Sequence, residues 1–194
     1  DLPHWQKSVP HPPADMEPAL ASGRIIVGYH GALANWIDYD LLKKIAEDGR
    51  YELVLIGYAH DESLDQSRIL EHPNVHFLGS KSYFILNEYA AFYSVGILPF
   101  KRYELTESVS PVKLFEYMAA SKPVVTTYLT ECTKYKSCLV SDTHDDFLRN
   151  LDTAAYAKDN SAYMADLADD AAKNSWPEKA LSVYLLAGIQ TAQS

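Results

Sequence analysis

Four residue types crowd into SVSPVKLFEYMAASKPVVTT, residues 108–127, in a spacing that could bind an anion and a diol. Lys113 falls in the first turn of a helix predicted over 111–121, where the free N–H groups and the helix dipole already make the potential positive. A capping box would place Glu or Gln there, and a bare Lys costs about 0.3–1 kcal/mol unless an anion sits beside it. Ser108 and Ser110 add hydroxyl donors at the same helix start, with Ser110 as the predicted N-cap and Pro111 at the first helical position. Glu116 follows three residues after Lys113. Spacing alone leaves two readings open: an exposed i,i+3 ion pair worth a few tenths of a kcal/mol, or an anion-plus-diol site.

The elements around this stretch follow from hydropathy. Val112, Leu114, Phe115, Met118 and Ala119 form the expected apolar face of the helix, Pro123 ends it, and Val124, Val125 and Thr126 read as a central strand. Upstream and downstream, strands are predicted at 24–29, 51–56, 75–78, 94–98, 123–127 and 138–140. Helices are predicted at 38–48, 63–70, 83–91, 111–121, 142–155, 160–173 and 177–191. Alternation of this kind implies right-handed crossovers and a Rossmann-like three-layer α/β/α domain with a mainly parallel sheet of about six strands. Ligands of such sheets bind beyond the carboxyl ends of the strands, so the loops that follow the strands are the ones to examine.

The motif S-P-x-K-L-F-E-Y-x-A-A-x-K-P-V-V, from Ser110 to Val125, resembles the donor-binding signature in the C-terminal half of GT-B glycosyltransferases, glycosyltransferase family 4 in particular. The resemblance implies that Glu116 holds the ribose of a nucleoside-diphosphate sugar, while Val109, Ser110 and Lys113 lie at the phosphates. Many family members carry a second Glu eight residues earlier, on the transferred sugar; here that position is Ser108, with Glu104 and Glu107 out of register. The loop after the first strand, HGALANWIDYD, resembles the family segment lining the cleft, which assigns Gly31 and Ala32 to the donor site and the helix cap to Asp38 or Asp40. The neighbouring His30 reads as a neutral loop histidine. Asp38-Tyr39-Asp40 spells a D-x-D metal motif, but at a helix start, and no metal site is expected there. Gly79-Ser80-Lys81-Ser82-Tyr83 resembles the nucleobase loop, placing Ser80, Lys81 and Tyr83 near the base; a surface lysine is the alternative for Lys81. Lys101 and Arg102 either add phosphate charge or form a solvated loop pair. His60, Asp61 and Glu62 read as a solvated turn rather than a metal site.

Composition narrows the class further. The 194 residues, 47% hydrophobic and 22% charged, suit one domain or half of a larger protein, and a net charge of −9 argues against a nucleic-acid partner. No apolar run reaches the ~20 residues of a membrane span and no signal peptide is visible, so a cytoplasmic setting is expected. Cys132 and Cys138 read as reduced thiols. Five prolines among residues 1–23 mark a linker or lead-in segment to which Trp5 and Met16 could lend packing, and residues 24–194 are expected to form the donor-binding domain. An Asp rather than a Met at position 1 suggests a processed or partial chain.

The resemblance implies no cofactor beyond the nucleoside-diphosphate sugar, which serves as donor substrate, and a glycan or lipid-linked acceptor. It implies an N-terminal domain of the same protein as the acceptor wall, with the last helix, 177–191, returning toward it, and it allows peripheral membrane association of the full-length enzyme. The expected reaction is retaining, metal-independent sugar transfer in polysaccharide biosynthesis, with residues 1–194 alone inactive. Two alternatives stay open: a nucleotide-sugar 2-epimerase of the same fold, and a non-catalytic nucleotide-binding scaffold.

Overall fold

The computed structural model describes residues 2–103 and 110–186. Six strands form one parallel sheet in the order β3-β2-β1-β4-β5-β6: β1 Ile25–His30, β2 Tyr51–Ile56, β3 Val75–Phe77, β4 Val95–Leu98, β5 Val124–Thr127 and β6 Cys138–Ser141. The order reverses between β1 and β4, so the crevice of a doubly wound sheet opens at their carboxyl ends. Strands β2 and β4 are buried along their whole length, which is why, Glu52 of β2 apart, they read as apolar runs rather than alternating ones.

The helices are α1 Leu2–Trp5, α2 Glu17–Ala21, α3 Tyr39–Glu47, α4 Ser63–Ser67, α5 Tyr83–Ala90, α6 Val112–Ala119, α7 His144–Ala155, α8 Ser161–Lys173 and α9 Trp176–Leu186. All six expected strands are present, each within a residue or so of its expected bounds. The helix expected over 63–70 is cut at Arg68, whose left-handed φ of 58° ends α4 before a short 3-10 turn. The last helix is expected to run to 191; residues 187–191 lie outside the described residues. The lead-in is not a plain linker: Trp5, Met16 and Ala19 from its helical turns are buried in the main core.

Two corrections concern α6. Its N-cap is Pro111, in extended conformation with no side-chain cap bond, and Ser110 lies one residue outside. Its buried face is Leu114, Tyr117, Met118 and Ala119, whereas Val112 stands 58% exposed. Tyr117 enters that face because the sheet makes room for it. Gly28 and Gly96 are register partners on β1 and β4, and the rings of Tyr93 and Tyr117 lie where their β-carbons would be.

That close approach is testable. Gly28→Ala and Gly96→Ala each drive a methyl into a fully buried tyrosine ring, so urea denaturation should record a loss of about 1–3 kcal/mol for either. Ala at Gly49, where a β-carbon meets nothing within 4 Å but φ is 76°, should cost only the backbone strain.

Candidate donor site

The floor of the site is built from glycine. Gly31 follows β1 with φ 145°, and Gly57 follows β2 with φ 152°, a region that side chains avoid. Gly31 N–H donates to the Ile56 carbonyl at 2.8 Å, and Gly57 N–H to the Gly79 carbonyl at 2.9 Å. A β-carbon on Gly57 would occupy the Gly31 carbonyl oxygen, so the three strand ends are drawn together as bare backbone. Tyr29 Oη donates to the Ala32 carbonyl at 2.9 Å and fixes the turn beyond Gly31.

Over this floor comes α6. The Lys113 side chain lies along Gly31: a β-carbon there would stand 2.0 Å from Lys113 Cε and 2.7 Å from Nζ. Burial pulls the Lys113 amine below its ordinary value, with Glu116 opposing the shift. A half-buried amine at an N-terminus that has no side-chain cap is an anion-receptive arrangement. The i,i+3 pair, one of the two readings that spacing leaves open, is not formed. Glu116 Oε2 instead meets His30 Nε2 at 2.9 Å, with the two side chains 13% and 3% exposed.

His30 is the site residue whose role the sequence does not disclose. It ends β1 rather than lying in a loop, its N–H donates to Tyr117 Oη at 3.0 Å, and its ring stacks on Trp5 at 5.4 Å with an interplanar angle of 12°. Burial holds the imidazole below its ordinary value, against the pull of the Glu116 carboxylate and with a smaller push from Lys113. A cavity of about 270 Å³ opens beside Glu116, lined among others by Trp5, Tyr83, Ser110, Val112 and Phe115.

The remaining expected residues divide. Tyr83 reaches this cavity and stacks on His4 at 5.2 Å, while Ser80 is exposed on the loop before it. Lys81 does not point into the cavity: Nζ pairs with Asp15 Oδ2 at 2.6 Å and lies over the Tyr89 ring. Ser108 and Val109 lie outside the described residues. Asp38 is the helix cap, accepting from Leu41 N–H at 3.0 Å, and its other oxygen meets His144 Nε2 at 2.8 Å; Asp40 is exposed. Arg102 pairs with Asp142 at 3.3 Å and covers the Tyr128 ring. Asp61 accepts from the N–H groups of Asn35 and Ser63, the turn expected there.

The family model described as glycosyl transferases group 1 matches residues 20–166. The chain belongs to that family. It is 29% identical over 120 residues to the putative teichuronic acid biosynthesis glycosyltransferase TuaH of Bacillus subtilis (strain 168), a match covering 60% of this chain and 30% of that protein. Among solved structures, Anabaena Alr3699/HepE in complex with UDP-glucose superposes with a TM-score of 0.68 at 17% identity over 96% of this chain and 55% of that one. A trehalose-6-phosphate structure from E. coli bound with UDP-2-fluoro glucose superposes with a TM-score of 0.71 at 14% identity, covering 99% and 50%. At such identities the likeness is one of fold: the parallel α/β domain of the C-terminal half of GT-B glycosyltransferases. The chain spans about half the length of these structures and less of the curated relative.

A buried neutral histidine leaves a signature in stability. Unfolded, His30 takes a proton near pH 6.5; folded, it resists, so the unfolded state binds more protons and stability falls as pH drops below that value. The loss in urea midpoint between pH 7.5 and 5.5 should therefore be smaller in His30→Gln than in the unsubstituted protein. An equal loss in both would show that His30 titrates normally.

Proposed function

We propose that this chain is the donor-binding half of a glycosyltransferase that moves a sugar from a UDP- or GDP-sugar to a glycan or lipid-linked acceptor in polysaccharide biosynthesis. The observation that carries the reading is Glu116, held at the carboxyl edge of the sheet by His30, with the Lys113 amine over Gly31 one helical turn away. In this reading Glu116 accepts from the ribose hydroxyls. The diphosphate lies at the start of α6, near Val109, Ser110 and Lys113, above Gly31 and Ala32. Ser80 and Tyr83 flank the base, with Lys81 further out because Asp15 holds it. The family membership, the UDP-glucose complex of the fold relative and the teichuronic acid role named for the curated relative all favour it.

The chemistry follows from the charges. As the anomeric C–O bond breaks, its electron pair leaves with the diphosphate, and the fixed Lys113 cation and the N–H groups of the α6 start stabilise that growing charge. The same cation supplies the role a divalent ion would otherwise fill, and on this basis transfer is metal-independent. Retention of configuration comes from the family resemblance. The acceptor wall belongs to an N-terminal domain, toward which α9 faces with Trp176 67% exposed. Among the described residues no helix is long and apolar enough to cross a membrane.

Calorimetric titration with UDP, GDP and ADP tests this. One nucleotide should bind, and Glu116→Ala should weaken it by about 1.5–3 kcal/mol, the value of charged hydrogen bonds to the ribose. Equal affinity in the variant would remove Glu116 from the site. Incubation of a UDP-sugar without acceptor should return the sugar unchanged; an epimer would favour the 2-epimerase alternative.

A further inference from the structure

His30 closes β1 at the edge where the donor is proposed to bind, and three contacts leave its ring little freedom. Its backbone N–H is tied to Tyr117 Oη, the Trp5 indole lies parallel on one face, and the Tyr117 ring stands edge-on 4.7 Å away. Nε2 meets Glu116 Oε2 at 2.9 Å, while Nδ1 is buried with no hydrogen-bond partner. These two environments select the tautomer. A proton on Nδ1 would orphan a buried N–H and turn the Nε2 lone pair toward a carboxylate. A proton on Nε2 makes a charge-assisted bond to Glu116 and leaves only a lone pair unmatched.

We propose that His30, as the Nε2–H imidazole, is the positioning residue for Glu116: it holds Oε2 and so presents Oε1 to the vicinal hydroxyls of the donor's ribose. The inference rests on the donor-binding reading above and adds the device that makes Glu116 selective for a ribose. A Glu on a helix surface samples several rotamers, and one already fixed loses less freedom when the ligand arrives. Trp5, from the lead-in segment, keeps water off the His30–Glu116 bond; the low local dielectric then strengthens it. Residues before the sheet thus complete a site whose other parts come from β1 and α6.

The test is a ratio. Affinities for UDP and 2′,3′-dideoxy-UDP (or the GDP pair, if guanine is the base) are measured for the unsubstituted protein, His30→Gln, His30→Phe and Glu116→Ala. The dideoxy-to-ribose Kd ratio reports the hydroxyl contacts alone. His30→Phe keeps the ring but cannot donate, and its ratio should fall by about tenfold, toward that of Glu116→Ala. His30→Gln restores an N–H donor and should recover most of the ratio. If His30→Phe weakens both nucleotides equally, the role is merely structural and the proposal is overturned. If Glu116→Ala itself leaves the ratio unchanged, or if neither UDP nor GDP binds, the ribose reading fails first and takes this one with it. Nitrogen NMR of the His30 ring in the unsubstituted protein, independent of ligand and of how the variants fold, should report the Nε2–H tautomer at neutral pH. The Nδ1–H form would overturn the proposal.

Discussion

The hydrogen bond from His30 to Glu116 joins the last residue of the central strand to the inward flank of the signature helix, and much of the site depends on it. It requires α6 to lie close to the sheet, which in turn requires Gly96 under the Tyr117 ring, where strands normally carry β-branched residues; its register partner Gly28 makes room for Tyr93. It also requires dryness, supplied by Trp5 above and by the tyrosines at 93 and 117 alongside. Buried polar pairs of this kind fix geometry at the expense of desolvation, and they are tolerated because the alternative, an unpaired buried group, costs more.

The same packing separates two charges that the sequence puts within one turn. Lys113 is drawn to the Gly31 backbone and Glu116 to His30, so neither cancels the other. The result is a positive pole at the helix start and an acceptor pole one turn along, an orientation suited to a ligand that is anionic at one end and hydroxylated further on. A surface ion pair between the two would have left neither available.

Much of this was legible in advance. The strand and helix alternation and the parallel sheet follow from periodicity, and one specific motif singles out Glu116 and Lys113 as candidates. The strand-end glycines at 31, 57 and 79 stand where a positive φ demands them. What the sequence hid is tertiary. His30 reads as an ordinary loop residue because its partner is 86 positions away, and Trp5 reads as part of a proline-rich lead-in. The two readings open for Lys81 turn on a similar separation, since Asp15, which pairs with it, lies 66 residues earlier in that same segment. The one local signal left unused was Gly28 with Gly96: glycine inside a strand announces that something approaches closely, here Tyr93 at Gly28 and, at Gly96, the Tyr117 that anchors His30.

The most direct test of the account is a crystal structure of the protein with UDP. The ribose hydroxyls should lie within about 3 Å of Glu116, with its second oxygen still on His30 and the diphosphate above Gly31 at the Lys113 amine. A nucleotide bound elsewhere on the domain, or one seated in this cavity with Glu116 turned away from the ribose, would contradict it.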